Sequence, residues 1–397
     1  MINTESPVIS IVVPTQNRHA YLAVLVKSIL AMHSQDLELI VHDNSSEPGG
    51  FVAAVGALSD SRLRYVYDST PMSITENFER AVSLARGDYV CMIGDDDGVT
   101  ESVVQLARWL RARNIDAAIS PVPTYYWPGV ASTLGGKQTI GMLRVPRYSS
   151  GIEIVESAVA LKAVLRSGGI RIGALPSVYQ GIVSRRALER LFDLVGTRFP
   201  GLSPDMANAV GLTAVVERFA RLSFPVVISG SCSVSGAAEG ARHQHHGELG
   251  DRKFLPKDTA EHWPSEIPNY FSGPTLWAAT LIHALSSTGR EEAVSLLRYD
   301  RLYAACHVLS PPMYRDRVEK ARSQNQDYVT PVRLWLAIAW VWNLRAQALC
   351  INLLGRVQSR FSRKTHVVGI VDIEQAISYI TREFGPIPTD TWFSDAL

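Results

Sequence analysis

The sequence predicts an α/β fold, in which a Rossmann-like central sheet flanked by helices is followed by an additional α-helical C-terminal lobe. Two patterns carry this expectation. Over the first 120 residues, short β-branched runs alternate with longer amphipathic stretches, as parallel strands joined by crossover helices do. Beyond Pro268, apolar residues recur at three- and four-residue spacing, which is the helical period. A chain of 397 residues suits two or three lobes with ample core.

The expected strands in the first part are Val8–Val13, Leu37–His42, Leu63–Tyr67, Tyr89–Ile93 and Ala117–Ser120. The expected helices between them are Arg18–Met32, Gly49–Leu58, Ser73–Arg86 and Glu101–Arg113. From Tyr125 to Ser150, Gly, Pro, Ser and aromatic residues with weak periodicity predict a long excursion or hairpin. A helix over Ile152–Arg166, a strand over Val178–Ser184, helices over Arg185–Leu194 and Asp205–Leu222, and a strand over Pro225–Ser229 follow. Gly230–Leu255, rich in glycine, serine and histidine, reads as a flexible loop. Helical periodicity then covers Leu276–Ser286, Glu291–Leu297 and Val332–Val357.

Composition narrows the functional classes. With 46% hydrophobic residues, 19% charged residues and a net charge of +1, the chain has the balance of a folded protein without a nucleic-acid partner. Cys91, Cys232, Cys306 and Cys350 form no C-x-x-C pair, which argues against a zinc knuckle or disulfide framework and for a reducing cytoplasm. The apolar run near the N-terminus is short and β-branched, a strand rather than a signal peptide. The stretch Leu334–Leu344 is too short to span a bilayer.

In open α/β sheets, ligands bind where strands end, because loops and helix N-termini converge there. Polar clusters sit at those places here: Pro14-Thr15-Gln16-Asn17-Arg18, Asp43-Asn44-Ser45-Ser46 and Asp95-Asp96-Asp97. Three consecutive carboxylates repel one another and are costly unless a positive charge sits among them. Mg²⁺ or Mn²⁺ would supply it, since these ions take oxygen ligands and are shared between carboxylates and substrate phosphates. An acid-rich helix N-terminus gives the same local pattern, but the position at a strand end favours the cation. Asp43 can read a base or ribose hydroxyl, or simply form a turn or cap, and Arg18 can pair with phosphate or lie solvated.

The segments ISIVVPTQNR, LIVHDNSS and NFERAVSLARGDYVCMIGDDDGV, in that order and followed later by Pro204-Asp205, resemble the inverting family 2 glycosyltransferases of the GT-A fold, whose mixed central sheet is flanked by helices. The resemblance covers roughly Val8 to Ser229. It implies that Asp43 contacts the nucleoside of a nucleotide-sugar, UDP by family frequency, with Pro14, Thr15 and Arg18 beside it and Asn77 facing the pocket. Relatives carry D-x-D or D-D where this chain has Asp95-Asp96-Asp97. We assign the metal to Asp97 and the sugar-nucleotide side to Asp95 or Asp96. The resemblance places the general base at Asp205, although Pro204 stands where glutamate is common. It also suggests that His243 or His245 completes the metal shell, whereas such loop histidines are otherwise solvated. On this reading residues 1–120 form the nucleotide-binding half of a transferase domain, residues 121–255 its acceptor half, and residues 256–397 a mainly helical region.

The expected acceptor is a carbohydrate or glycoside, in bacterial surface polysaccharide or glycoside synthesis. The helix Arg333–Val357, with Trp335, Trp340 and Trp342 and then Arg356, Arg360, Arg363 and Lys364, suits either the inner face of a membrane bearing a lipid-linked acceptor or a core or dimer helix; the latter is the simpler expectation. Two competing functions are weighed. A nucleotidyltransferase would carry a glycine-rich loop after the first strand, where this chain reads PTQNR; a non-catalytic sugar-nucleotide-binding protein would fit the loss of glutamate at Pro204.

Overall fold

The computed structural model describes residues 6–49, 51, 58–130, 141–145, 148, 151–234, 246–252, 254–256, 258–325, 329–358 and 366–385, with side chains of the helix ending at Gln358 described through Gln347 and at Cys350. The expected helix Gly49–Leu58 lies largely outside the described residues. Strands β1 (Ile9–Thr15) and β2 (Leu37–Asp43) are buried at every position, as strands covered on both faces must be. With β3 (Leu63–Tyr67) and β4 (Tyr89–Met92) they form a parallel block in the order β3-β2-β1-β4.

The sheet then changes character. After the short β5 (Gly98–Val99), the chain adds β6 (Ala117–Ile119), β7 (Thr124–Tyr126), β8 (Met142–Arg144), β9 (Ile152–Glu156), β10 (Gly181–Ser184), β11 (Arg218–Leu222) and β12 (Val227–Ser231). Strand β10 pairs antiparallel with both β4 and β6, β11 runs parallel to β6, and β9 closes the edge antiparallel to β11. The result is an eight-stranded mixed sheet, as the GT-A resemblance implies.

Helices α1 (His19–Leu30) and α3 (Ser102–Ala112) cover one face, and α2 (Ile74–Ser83), α4 (Ser157–Arg166), α5 (Arg185–Val195) and α6 (Pro204–Leu212) belong to the core on the other. Local chemistry sets several ends. Ser73 and Glu76 form a reciprocal capping box at the start of α2, and Gly196, in the left-handed region at φ 82°, stops α5. Helix α7 (Gly273–Ser287) opens on Ser272 and Thr275, whose side chains each accept from or bond the other's backbone, and contributes Leu281, Ala284 and Leu285 to the same core as α6. It is followed by a 3₁₀ turn at Glu291–Leu296, α8 (Tyr299–Leu309), α9 (Arg315–Ser323) and the long α10 (Pro331–Gln358).

Two expected helices are shorter than the periodicity implied. Ile152–Glu156, placed in a helix by the sequence reading, is β9, and its Ile-Glu-Ile-Val-Glu alternation fits the half-exposed edge it forms. The helix expected over Asp205–Leu222 ends at Leu212, because Arg218–Leu222 pairs with β9 and β6 as β11.

The last described residues return to the N-terminal half. Strand β13 (His366–Val368) pairs with β8 in a second sheet of order β13-β8-β7-β12-β5, and α11 (Ile373–Phe384) packs on β5 and α1. Residues 366–384 thus share a core with Tyr125, Trp127 and Ile228, although the division at residue 255 assigned them to the helical region. Gly98 permits this docking: a Cβ there would lie 2.7 Å from Ile373 Cγ1. Gly98→Ala should cost about 1–3 kcal/mol by overpacking and Ile373→Ala about 2–5 kcal/mol by cavity formation. In urea melts the double variant should lose clearly less than the two losses added, and full additivity would refute the contact.

Candidate active site

The site grows from the first two strand ends. Thr15 closes β1, and Asn17, in the left-handed region at φ 57°, turns the chain into α1. That turn is tied to the loop after β2: Asn17 N–H donates to Ser45 Oγ at 2.7 Å, and Asn17 Oδ1 accepts from Ser46 N–H at 3.1 Å. Pro14 sits in the β1 ladder opposite His42. Arg18 leaves the turn toward the end of β4.

Asp43 is fully buried, and both its oxygens are engaged. Oδ1 accepts from Ser45 N–H at 2.9 Å and Ser45 Oγ at 2.5 Å, while Oδ2 accepts from Tyr65 Oη at 2.5 Å and faces His19 Nε2 at 2.7 Å. Burial alone would raise this carboxyl, but the Ser45, Tyr65 and His19 hydrogen bonds outweigh it and hold Asp43 below its ordinary value. His19 in turn stacks on Phe51. Asp43 therefore pins the loop after β2 to His19 and Tyr65. Asn77 is likewise internal, with Oδ1 2.7 Å from His42 Nδ1 and its amide donating to the Thr15 carbonyl at 3.4 Å.

The three carboxylates after β4 have different partners. Asp95 Oδ2 accepts from Thr15 Oγ1 at 2.5 Å, and Oδ1 lies 2.9 Å from Arg18 Nη2 without a well-directed hydrogen bond. Asp96 Oδ2 accepts from Cys232 N–H at 3.0 Å, while Oδ1 lies 3.5 Å from Arg18 Nη1. Asp97 Oδ1 accepts from Gly230 N–H at 2.7 Å, and Oδ2 accepts from Gly94 N–H at 2.8 Å, Gln180 Nε2 at 3.0 Å and Tyr179 Oη at 3.3 Å. Burial pushes Asp95 and Asp97 above the ordinary carboxylate range; Asp96 adds to both, Arg18 and Thr15 oppose it at Asp95, and Gln180 and the two glycine N–H groups oppose it at Asp97.

Asp97 engages both oxygens with Gly94, Gly230, Gln180 and Tyr179. Asp95 Oδ1 and Asp96 Oδ1 both face the Arg18 guanidinium, Asp95 Oδ1 as an ion pair without a well-directed hydrogen bond; an additional cation would offset charge that one guanidinium leaves among three buried carboxylates. Among the described residues, no cluster of three or more His, Cys, Asp or Glu side chains is arranged to hold a metal. His243 and His245 lie outside the described residues.

The end of β12, which the sequence places at the start of a flexible loop, packs against the triplet. Gly230 approaches so closely that a Cβ would fall 1.7 Å from the Asp96 carbonyl oxygen, and Trp127 Nε1 donates to that same oxygen at 2.9 Å. Asp205 lies in the first turn of α6, where Oδ1 accepts from Ser203 Oγ and from Met206 N–H at 2.8 Å, and Trp277 of α7 also bonds it. Burial pushes Asp205 above its ordinary value despite these donors. Tyr179 links it to the triplet: burial raises this hydroxyl well above its ordinary value, and the charges of Asp97, Asp96 and Asp205 add to the effect. The charges of Arg18, Asp96, Asp97 and Asp205 thus all act on Tyr179, and Thr15 and Arg18 reach the triplet directly.

A mixed sheet of this order, with an acidic cluster at the end of β4 and a further acid opening a helix across the cleft, is a GT-A arrangement. Residues 10–156 match the family described as Glycosyl transferase family 2, and this stretch is a family 2 glycosyltransferase domain. Glycosyltransferase GlyG of Streptococcus pneumoniae serotype 4 is 28% identical over 122 residues, 30% of this chain and 40% of that one. The GalNAc(5)-diNAcBac-PP-undecaprenol beta-1,3-glucosyltransferase of Campylobacter jejuni is 33% identical over 93 residues, 23% of this chain and 30% of that one. The matches thus span well under half the length of these relatives. Among solved structures, S. aureus TarS 1-349 in complex with UDP-GlcNAc aligns with 80% of this chain and 92% of its own at 15% identity and a TM-score of 0.44.

Sequence reasoning missed His19, Tyr65, Gln180, Tyr179 and Gly230. Only Gly230, in the Ser-Gly-Ser-Cys run after an expected strand, carried a local signal, since glycine in a strand marks close backbone approach. The role of Asp43 as a pin can be measured. Its folded-state pKa is depressed, so its stabilisation is present above the unfolded carboxylate value near ~3.9 and is lost as pH falls through the folded value. Asp43→Asn should cost about 2 kcal/mol or more in urea melts at neutral pH. The deficit should shrink at pH about 3, and a pH-independent deficit would contradict this account.

Proposed function

We propose that the protein is an inverting glycosyltransferase that moves a sugar from a nucleoside-diphosphate sugar, UDP favoured, to an acceptor hydroxyl in bacterial surface polysaccharide or glycoside synthesis. The observation that carries this reading is the division of the acid triplet. Asp95 and Asp96 turn an oxygen each toward Arg18, while Asp205, its pKa raised by burial, acts with Asp96 and Asp97 on Tyr179. The acceptor is in keeping with a lipid-linked saccharide, by analogy with the undecaprenol-linked saccharide in the name of the Campylobacter relative.

A divalent cation, Mn²⁺ or Mg²⁺, would be held by Asp96 and Asp95 rather than Asp97, and when bound it offsets negative charge on the diphosphate. The chain's own residues do the rest. Arg18 keeps its positive charge beside Asp95 and Asp96 and neutralises part of the cluster. Asp97 clamps the β4 loop to Gly94, Gly230 and Gln180, so that its neighbours cannot turn away. Asp205 takes the proton from the acceptor hydroxyl as the new oxygen–carbon bond forms and the anomeric carbon–phosphate oxygen bond breaks on the opposite face, releasing the nucleoside diphosphate. Trp277 and Ser203 orient that carboxylate.

Asp205→Asn should lower UDP release from an accepted UDP-sugar by about 10²–10⁴-fold at saturating acceptor, the range of a lost general base. Because the folded-state pKa of Asp205 is raised, the wild-type rate should fall on the acid side at a pH above the ordinary carboxylate value, and the residual rate of Asp205→Asn should lack that limb. The charged form costs stability once pH exceeds the unfolded value, so the variant should melt at or above the wild-type temperature near pH 7. A near-wild-type rate in Asp205→Asn would sink the assignment.

A further inference from the structure

Helix α10 shows a face that is exposed among the described residues. Its inner side, with Ala337 and Val341, packs on Ala304 and Ala305 of α8, and Arg301 stacks on Trp340 at 4.4 Å. The outer side carries Val332, Trp335, Leu336 and Trp342, which are 69%, 72%, 67% and 56% exposed, at the spacing that aligns them along one stripe. Large apolar side chains at such exposure, in one row, mark an interaction surface rather than scattered surface residues.

The charge around the stripe selects its occupant. Between Asp327 and Asp372 the sequence holds no acidic residue, and the charged side chains described on α10 are Arg333 and Arg345. Arg345 lies over the Trp342 ring at 5.3 Å, so a cation and an aromatic ring share the same patch. A second copy meeting this face through a two-fold axis would bring the same arginines together, with no carboxylate on the helix to pair them. An anionic bilayer surface satisfies both features, since indole rings settle at the headgroup boundary and each basic residue near the surface adds attraction. No helix among the described residues is long and apolar enough to cross a membrane, so the contact is a lateral one.

We propose that the outer face of α10 docks on an anionic lipid surface through Trp335, Leu336 and Trp342, with Arg333 and Arg345 supplying the electrostatic part. The docking stands independently of the transferase reading, because it rests on surface chemistry away from the acid triplet.

Flotation with vesicles of phosphatidylglycerol and phosphatidylcholine, against vesicles of phosphatidylcholine alone, tests it. The full chain should float with the anionic vesicles at low salt, be released by high salt, and stay behind with the neutral ones. The variant Trp335→Ser/Trp342→Ser should bind anionic vesicles about tenfold more weakly or worse while keeping the wild-type melting temperature. Its UDP-sugar turnover with a water-soluble acceptor should match wild type, which separates loss of docking from loss of catalysis. Equal binding to neutral vesicles, no binding to either, or a concentration-dependent dimer abolished by the same variant would each overturn the proposal.

Discussion

Everything at the cleft follows from burying three consecutive carboxylates at the end of one strand. Asp95, Asp96 and Asp97 are all nearly inaccessible to solvent, and Arg18 is the cation that lies against them. Such a cluster persists only if each member is satisfied by different groups. Asp97 is satisfied by backbone N–H groups of Gly94 and Gly230 and by Gln180, Asp96 by Cys232 and Asp95 by Thr15, so three other chain segments converge on a single loop. The close approach of Gly230 to the Asp96 carbonyl is a consequence of this convergence.

The rest of the architecture serves that loop. The parallel block brings Thr15 and Asp43 to the same sheet edge as Asp95, and the antiparallel insertion of β10 beside β4 delivers Tyr179 and Gln180. Helix α6 brings Asp205 in from the far side, held in place by α7 through Trp277. The helical C-terminal region is therefore no appendage: α7 shares the core of α6, and α11 covers β5 immediately after the triplet. A domain boundary drawn at residue 255 cuts across both contacts.

Much of this was legible in the sequence where local pattern and tertiary demand agree. The β-branched runs of β1 and β2, fully buried on both faces, and the polar residues that follow them were readable because parallel strands and their ligand loops leave strong signals. Short edge strands were not readable: Ile152–Glu156 borders a helix, and Arg218–Leu222 continues one in apolar spacing, so only pairing partners distant in sequence decide their state. The approach of Arg18 to Asp95 and Asp96 agrees with their positions after β1 and β4. The split within the triplet does not follow from position, because three identical side chains in a row differ only in which neighbours reach them, and Gly230 and Gln180 lie far along the chain.

The split is also the most direct thing to measure. Melting temperatures of wild type and Asp96→Asn would be recorded alone, with UDP, with Mn²⁺ and with both. The account predicts that only the combination of UDP and Mn²⁺ raises the wild-type melting temperature strongly. Asp96→Asn should lose that rise while melting, unliganded, close to wild type. A rise in Asp96→Asn equal to that of wild type, or a UDP effect indifferent to Mn²⁺, would contradict the claim that Asp96 faces the ligand while Asp97 holds the frame.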